Sequence, residues 1–160
     1  MSNRMIYKFF TLLTLMLVSW SSAQAADSCK EIGGVAIANF FAEGEGKPLI
    51  ISATLMGSVS TAAGKITAQR KTKTGIEMDM EHYFGTPDGG HMFTKDVGIL
   101  TAVPGKPGRF MIELTYDIQP GVSRGSLKGY TGQFNSFGLV DLRDPNDLKG
   151  LVRYSGTICK

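Results

Sequence analysis

Turn-forming clusters recur so often in this 160-residue chain that a long helix has no room to form. They are Gly44-Glu-Gly-Lys-Pro48, Thr61-Ala-Ala-Gly64, Lys73-Thr-Gly75, Gly85-Thr-Pro-Asp-Gly-Gly90, Pro104-Gly-Lys-Pro-Gly108, Gln119-Pro-Gly121, Gly129-Tyr-Thr-Gly132 and Arg143-Asp-Pro-Asn-Asp147. Glycine admits backbone angles closed to other residues, and proline cannot continue a ladder of hydrogen bonds. Short segments punctuated at this spacing predict an all-β sandwich or barrel. Only Cys29 to Phe41 leaves room for a helical turn at its start.

The segments between the turns alternate, most clearly in two places. Over Ile76 to Phe84, Met78, Met80, His82 and Phe84 share one face of a strand, and Glu77, Asp79, Glu81 and Tyr83 the other. Over Phe110 to Ile118, Phe110, Ile112, Leu114, Tyr116 and Ile118 face one way and Met111, Glu113, Thr115 and Asp117 the other. One dry face and one wet face per strand is the pattern of antiparallel sheet.

The chain opens like an export signal. Arg4 and Lys8 precede an uncharged apolar run, Phe9 to Trp20, and Ala23-Gln24-Ala25 offers the small-x-small pattern of a cleavage site. The run is too short for a spanning helix, which needs about 20 residues. Residues 1–25 are therefore expected to be a signal peptide, and residues 26–160 one domain without linker or repeat. Taking the leader away removes two of the 17 Lys and Arg and none of the 14 acids, so the net charge falls from +3 to +1. That near-neutral balance argues against nucleic acid as a partner, and no second apolar run supports stable membrane insertion.

Two cysteines remain, Cys29 and Cys159, near the two ends of the expected mature chain. Export favours their oxidation to a disulfide. The rival reading is a lipoprotein acylated at Cys29, but Ala26-Asp27-Ser28 is a poor match to the usual Leu-then-small pattern before such a cysteine. A disulfide makes the first and last segments neighbours. Pairing them would close the sheet and remove its edges, so a barrel of about eight strands is expected rather than a sandwich.

The stretch "GSLKGYTGQFNSFGLVDLRD", residues 125–144, holds four unevenly spaced glycines. A phosphate-binding loop needs its glycines to lead into a helix through a Lys-Ser/Thr pair. Here Lys128 is followed by glycine, and the chain runs into a strand in which Phe134, Ser136, Gly138, Val140 and Leu142 share a face. Nucleotide binding is not expected. Gly138 is expected to mark a bend or bulge, and Gly125, Gly129 and Gly132 to serve a turn.

Three stretches, "DGGHMFTKDVGILTAVPG", "YDIQPGVSRGSLKGYTGQFNSFGLVDL" and "YSGTIC", carry a resemblance. The chain resembles a group of small exported bacterial proteins without assigned activity, similar in layout to the allene oxide cyclase-like, calycin-type β-barrels. The resemblance runs from about Thr67 and is clearest over Asp88 to Cys159. It implies a barrel and brings no catalytic residue to this chain, since fold alone does not transfer an activity.

The residues offer few chemical constellations. His82 shares its apolar face with Met78 and Met80, which in an oxidising compartment suggests a soft copper site; the competing reading is a satisfied core histidine with methionines filling gaps. Glu77, Asp79 and Glu81 lack the Asp-x-Asp-x-Asp-Gly calcium loop and read as a solvated face, like Arg70, Lys71 and Lys73. No serine lies in a Gly-x-Ser-x-Gly elbow, so no nucleophile, metal or cofactor is assigned. What remains is the interior. Met78, Met80, His82, Phe84, Phe110, Ile112, Leu114 and Tyr116 would line it, either as packed core or around a small apolar or amphipathic ligand. A surface-acting filled barrel and a cyclase- or isomerase-like enzyme using His82 are the alternatives.

Overall fold

The computed structural model describes residues 28–160 apart from 43 and 45, so the expected leader lies outside the described residues. The described residues form eight strands: β1 Cys29–Ala42, β2 Leu49–Gly57, β3 Thr61–Lys71, β4 Gly75–Gly85, β5 His91–Ala102, β6 Arg109–Ile118, β7 Gly132–Asp141 and β8 Lys149–Cys159. Each pairs antiparallel with the next, and β8 pairs with β1, so the sheet is a closed barrel with no free edge. A single 3-10 turn, Gly125–Leu127, interrupts the connection from β6 to β7. Closure follows from the seam. Cys29 lies opposite Cys159 and is bonded to it, and the register continues to Asn39 opposite Lys149. A disulfide of this kind fits a non-cytoplasmic compartment.

Two local expectations fail. Cys29 starts a strand and not a helical turn, because β8 supplies hydrogen-bond partners from its first residue. Thr61-Ala-Ala-Gly64 lies inside β3, and the reversal comes earlier, at Ser58 and Val59. There Val59 is buried and its amide donates to Tyr154 Oη at 3.2 Å.

The interior alternates in size around the barrel. Gly64 lies across from His82, Gly98 between Met78 and Leu114, and Gly138 between Ile112 and Val152. A large inward side chain thus faces a residue with none, which is how a narrow barrel is filled. Gly138 carries no bulge: its register is regular on both sides, and the one irregularity in β3–β4 pairing falls between Ile66 and Ala68. The reason for glycine is proximity, since a Cβ there would sit 2.0 Å from the Leu151 carbonyl oxygen. That oxygen is backbone and cannot swing away. Gly138→Ala should therefore cost about 3 kcal/mol, the upper part of the overpacking range, measured by urea denaturation. A cost below about 0.5 kcal/mol would show the β7–β8 ladder to be compliant. Gly125, Gly129 and Gly132 do adopt positive φ in the turn region before β7, as expected.

The two ends differ. At the end holding the disulfide, Val59 and Leu127 come in from loops and are buried to 1% exposure each, closing that mouth. At the other end Phe40, Leu49, Ile76 and Phe110 are only partly buried. The outer charges concentrate on β3 and β4, where Arg70 bridges Glu77 and Asp79 and Lys65 meets Glu81. The three acids of β4 are thus a paired, solvated face.

Candidate functional site

Two walls of different bulk bound the interior. From β4 to β7 the inward positions hold Met80, His82, Phe84, Tyr116 and Phe134, whose rings pack in one cluster with centroids 4.5–5.6 Å apart. From β8 round to β3 the inward positions include Ala36, Ala38, Ala53, Ala62 and Gly150. The small side chains leave a cavity of about 50 Å³ between the walls. It lies toward the end of the barrel where Ala38, Phe40 and Ala53 are partly exposed. Its lining is apolar apart from His82 and the hydroxyls of Tyr116 and Tyr154.

Six of the eight expected lining residues reach this cavity: Met80, His82, Phe84, Ile112, Leu114 and Tyr116. Met78 and Phe110 do not. Met78 is buried in the core against the space above Gly98, and Phe110 packs half-buried at the open end. The alanine wall was not legible as a site, because alanine in a strand carries no functional signal. It became a wall only when the register set those residues opposite the aromatic ones.

His82 is held in a way that its sequence neighbours do not suggest. Its Nδ1 lies 2.6 Å from Asp96 Oδ2, with side-chain exposures of 5% and 0%. Asp96 sits opposite Met80 on β5, and Thr94 opposite His82, so the pair is diagonal across the ladder. The local sequence reads Phe93-Thr94-Lys95-Asp96-Val97, and Asp96 is inward only because Met92, Gly98 and Leu100 share its parity. That parity was the available signal. An ionised Asp96 can only accept, so Nδ1 carries the proton and the ring orientation is set. No hydrogen bond to Nε2 is found among the described residues. The ring edge bearing Nε2 and Cδ2 points at Gly64, where a Cβ would come within 2.6 and 2.3 Å of those atoms.

Other buried polar atoms surround the pair. Tyr116 Oη is 3.0 Å from Ser136 Oγ, and burial pushes its phenol well above the ordinary range, with Asp96 adding to the shift. Tyr116 is therefore a neutral hydroxyl at any physiological pH. Thr94 Oγ1 and Asp96 Oδ1 have no hydrogen-bond partner among the described residues. Leaving buried polar atoms unpaired costs about 1–3 kcal/mol each, so such atoms point to use.

His91 opens β5, is exposed, and pairs through its backbone with Arg124; it lies three residues along the ladder from Thr94, the partner of His82. The two histidines do not converge. No group of three or more His, Cys, Asp or Glu that could hold a metal ion occurs among the described residues. His82 keeps its methionine neighbours, but Nδ1 is engaged by Asp96, and of these residues His82 and Met80 line the cavity. Comparison with protein-family models, with curated proteins and with solved structures returns no match.

Proposed function

We propose that this is an exported, periplasmic or secreted, small-ligand-binding barrel of the calycin-like kind, whose cavity takes a compact molecule with an apolar body and one hydrogen-bonding group. The observation that carries the reading is an apolar cavity bordered by a histidine already oriented by a buried carboxylate. A hydrophobic pocket with few convergent polar groups is the usual form of a ligand site. With the Nδ1 proton directed to Asp96, Nε2 is left to accept from an incoming hydroxyl.

The volume limits the ligand. A water needs roughly 10–15 Å³ of such space, and an engineered apolar cavity of about 150 Å³ takes benzene. At about 50 Å³ the cavity accepts a molecule of a few heavy atoms or the tip of a longer chain entering past Phe40. The same smallness supports the second reading, a filled barrel that acts through its outer surface.

A titration decides between them. The methyl signals of Ala36, Ala38, Ala53 and Ala62 are followed by NMR as 1-butanol or n-pentane is added. Saturable shifts confined to these alanines are expected, and Ala53→Leu, which fills the space, should remove them while the rest of the spectrum stays native. No saturable shift with any probe would overturn the ligand reading and leave the surface role.

A further inference from the structure

The outside of the barrel is unevenly dressed. On β6, β7, β8 and β1, Met111, Leu139, Leu151 and Ile37 point outward with 40%, 53%, 56% and 50% of their surface exposed. Register sets them side by side: Met111 opposite Leu139, Leu139 opposite Leu151, and Leu151 opposite Ile37. The row ends in Thr101 on β5 and Thr54 on β2. Four large apolar side chains in one cross-strand row span about 14 Å at the ordinary strand spacing. An outer sheet face is normally polar, and contiguous apolar patches of this kind mark contact sites. The row borders a groove of about 400 Å³ whose rim carries Arg109, Asp141 and Lys149.

We propose that this face associates with a second copy of the chain about a two-fold axis lying in the contact plane, parallel to the strands and between β7 and β8. The charges flanking the row select this occupant and this axis. Toward the open end of the barrel the flanking row reads Arg109, Asp141, Lys149, Asn39; toward the disulfide end it reads Glu113, Phe137, Arg153, Val35. The stated axis lays β7 of one copy on β8 of the other at equal height. Leu139 then meets Leu151 of the second copy, and Met111 meets its Ile37. Asp141 meets Lys149 of the second copy, Phe137 meets its Arg153, Arg109 meets its Asn39, and Glu113 meets its Val35. Opposite charges meet at Asp141 and Lys149, a guanidinium covers an aromatic ring, and no like charges face each other. An axis along the row would instead set Arg109 over Glu113 of the second copy but Lys149 over its Arg153, which is repulsive, and Asp141 over its Phe137, which is desolvating. Within one copy Asp141 is bound by Arg143 and Arg109, and Lys149 by Asp147. The rim charges therefore select the register, and the leucines supply the attraction. An isologous contact that places a patch on itself closes at two and does not propagate. The proposal is independent of what the cavity holds.

Sedimentation velocity and native mass spectrometry of the oxidised chain, from low to high micromolar, read the result. Twice the monomer mass is expected, with return to the monomer mass in Leu139→Glu and Leu151→Glu variants of unchanged circular dichroism. Asp141→Lys should weaken the dimer and the exchanged pair Asp141→Lys/Lys149→Asp should restore it. Cysteines placed singly at 139 and 151 should cross-link 139 to 151 between copies in a mixture, and not 139 to 139. A monomer at every concentration overturns the proposal, as does 139–139 cross-linking for the axis. Co-sedimentation of a monomer with anionic phosphatidylglycerol vesicles, lost in Leu139→Glu, would overturn it in favour of a lipid surface as the occupant.

Discussion

Replacing Asp96 with alanine should destabilise the barrel by about 3 kcal/mol, because it leaves Nδ1 of His82 buried without its hydrogen-bond partner and opens space beside it. For a chain of this size that is a fall of roughly 10 °C in Tm, read by calorimetry. The loss does not mean that the pair is good for stability. The variant His82→Leu/Asp96→Val removes both polar groups together and should lie within about 1 kcal/mol of the wild type, or above it, since desolvating two polar groups offsets most of what they gain from each other. A single-site cost near zero would show that His82 and Asp96 are not coupled. The same double variant separates structure from function. If Nε2 receives the ligand, the folded double variant should still shift with n-pentane but should bind 1-butanol about fivefold less well, the worth of one hydrogen bond. Unchanged affinity for 1-butanol would make the pair a purely structural feature and remove His82 from the proposed site.

The Cys29–Cys159 bridge is the second large term. It spans 130 residues of sequence, and on the chain-entropy model a loop of that length is worth about 4–5 kcal/mol, acting through the unfolded chain. Cys29→Ser/Cys159→Ser should therefore lose nearly that much stability in urea. The barrel should nevertheless close, because the β1–β8 ladder carries ten residue pairs besides the cysteines' own. Far-ultraviolet circular dichroism should stay native, and the denaturant slope m should rise as the unfolded chain expands. A lower midpoint with unchanged m would place the effect in the native state. Loss of the strand signal would mean that the ladder cannot hold the seam alone.

Both experiments act on groups that differ in how visible they were. His82 and the methionines of β4 were legible because strict alternation over Ile76 to Phe84 puts them on one face, and burial of Met78, Met80, His82 and Phe84 bears that out. Asp96 was not, because a carboxylate on a dry face contradicts the pattern that identifies the face. Local pattern assigns an aspartate to water, and only the diagonal His82 gives it a reason to be inside. The alanines were missed for the opposite cause, since small residues lack a preference strong enough to read. Phe110 had the right parity, yet it falls at the end of its strand, where parity no longer implies a wall behind it.

The glycines divide in the same way. In the turn before β7, Gly125, Gly129 and Gly132 take positive φ, a local property that the clustering of glycines already announced. Gly138 needs no special angle; it is glycine because the Leu151 carbonyl passes where a Cβ would be.

Sequence alone determined an all-β chain, the inward faces of β4, β6 and β7 and the closure into a barrel of about eight strands, because alternation, turn residues and a cysteine pair act locally or through one covalent link. Tertiary structure decided which side chains oppose one another: His82 with Asp96, the aromatic wall with the alanine wall, Leu139 with Leu151. Those relations depend on the register between strands, and a register is the sum of all eight ladders closing on themselves. No single segment contains it.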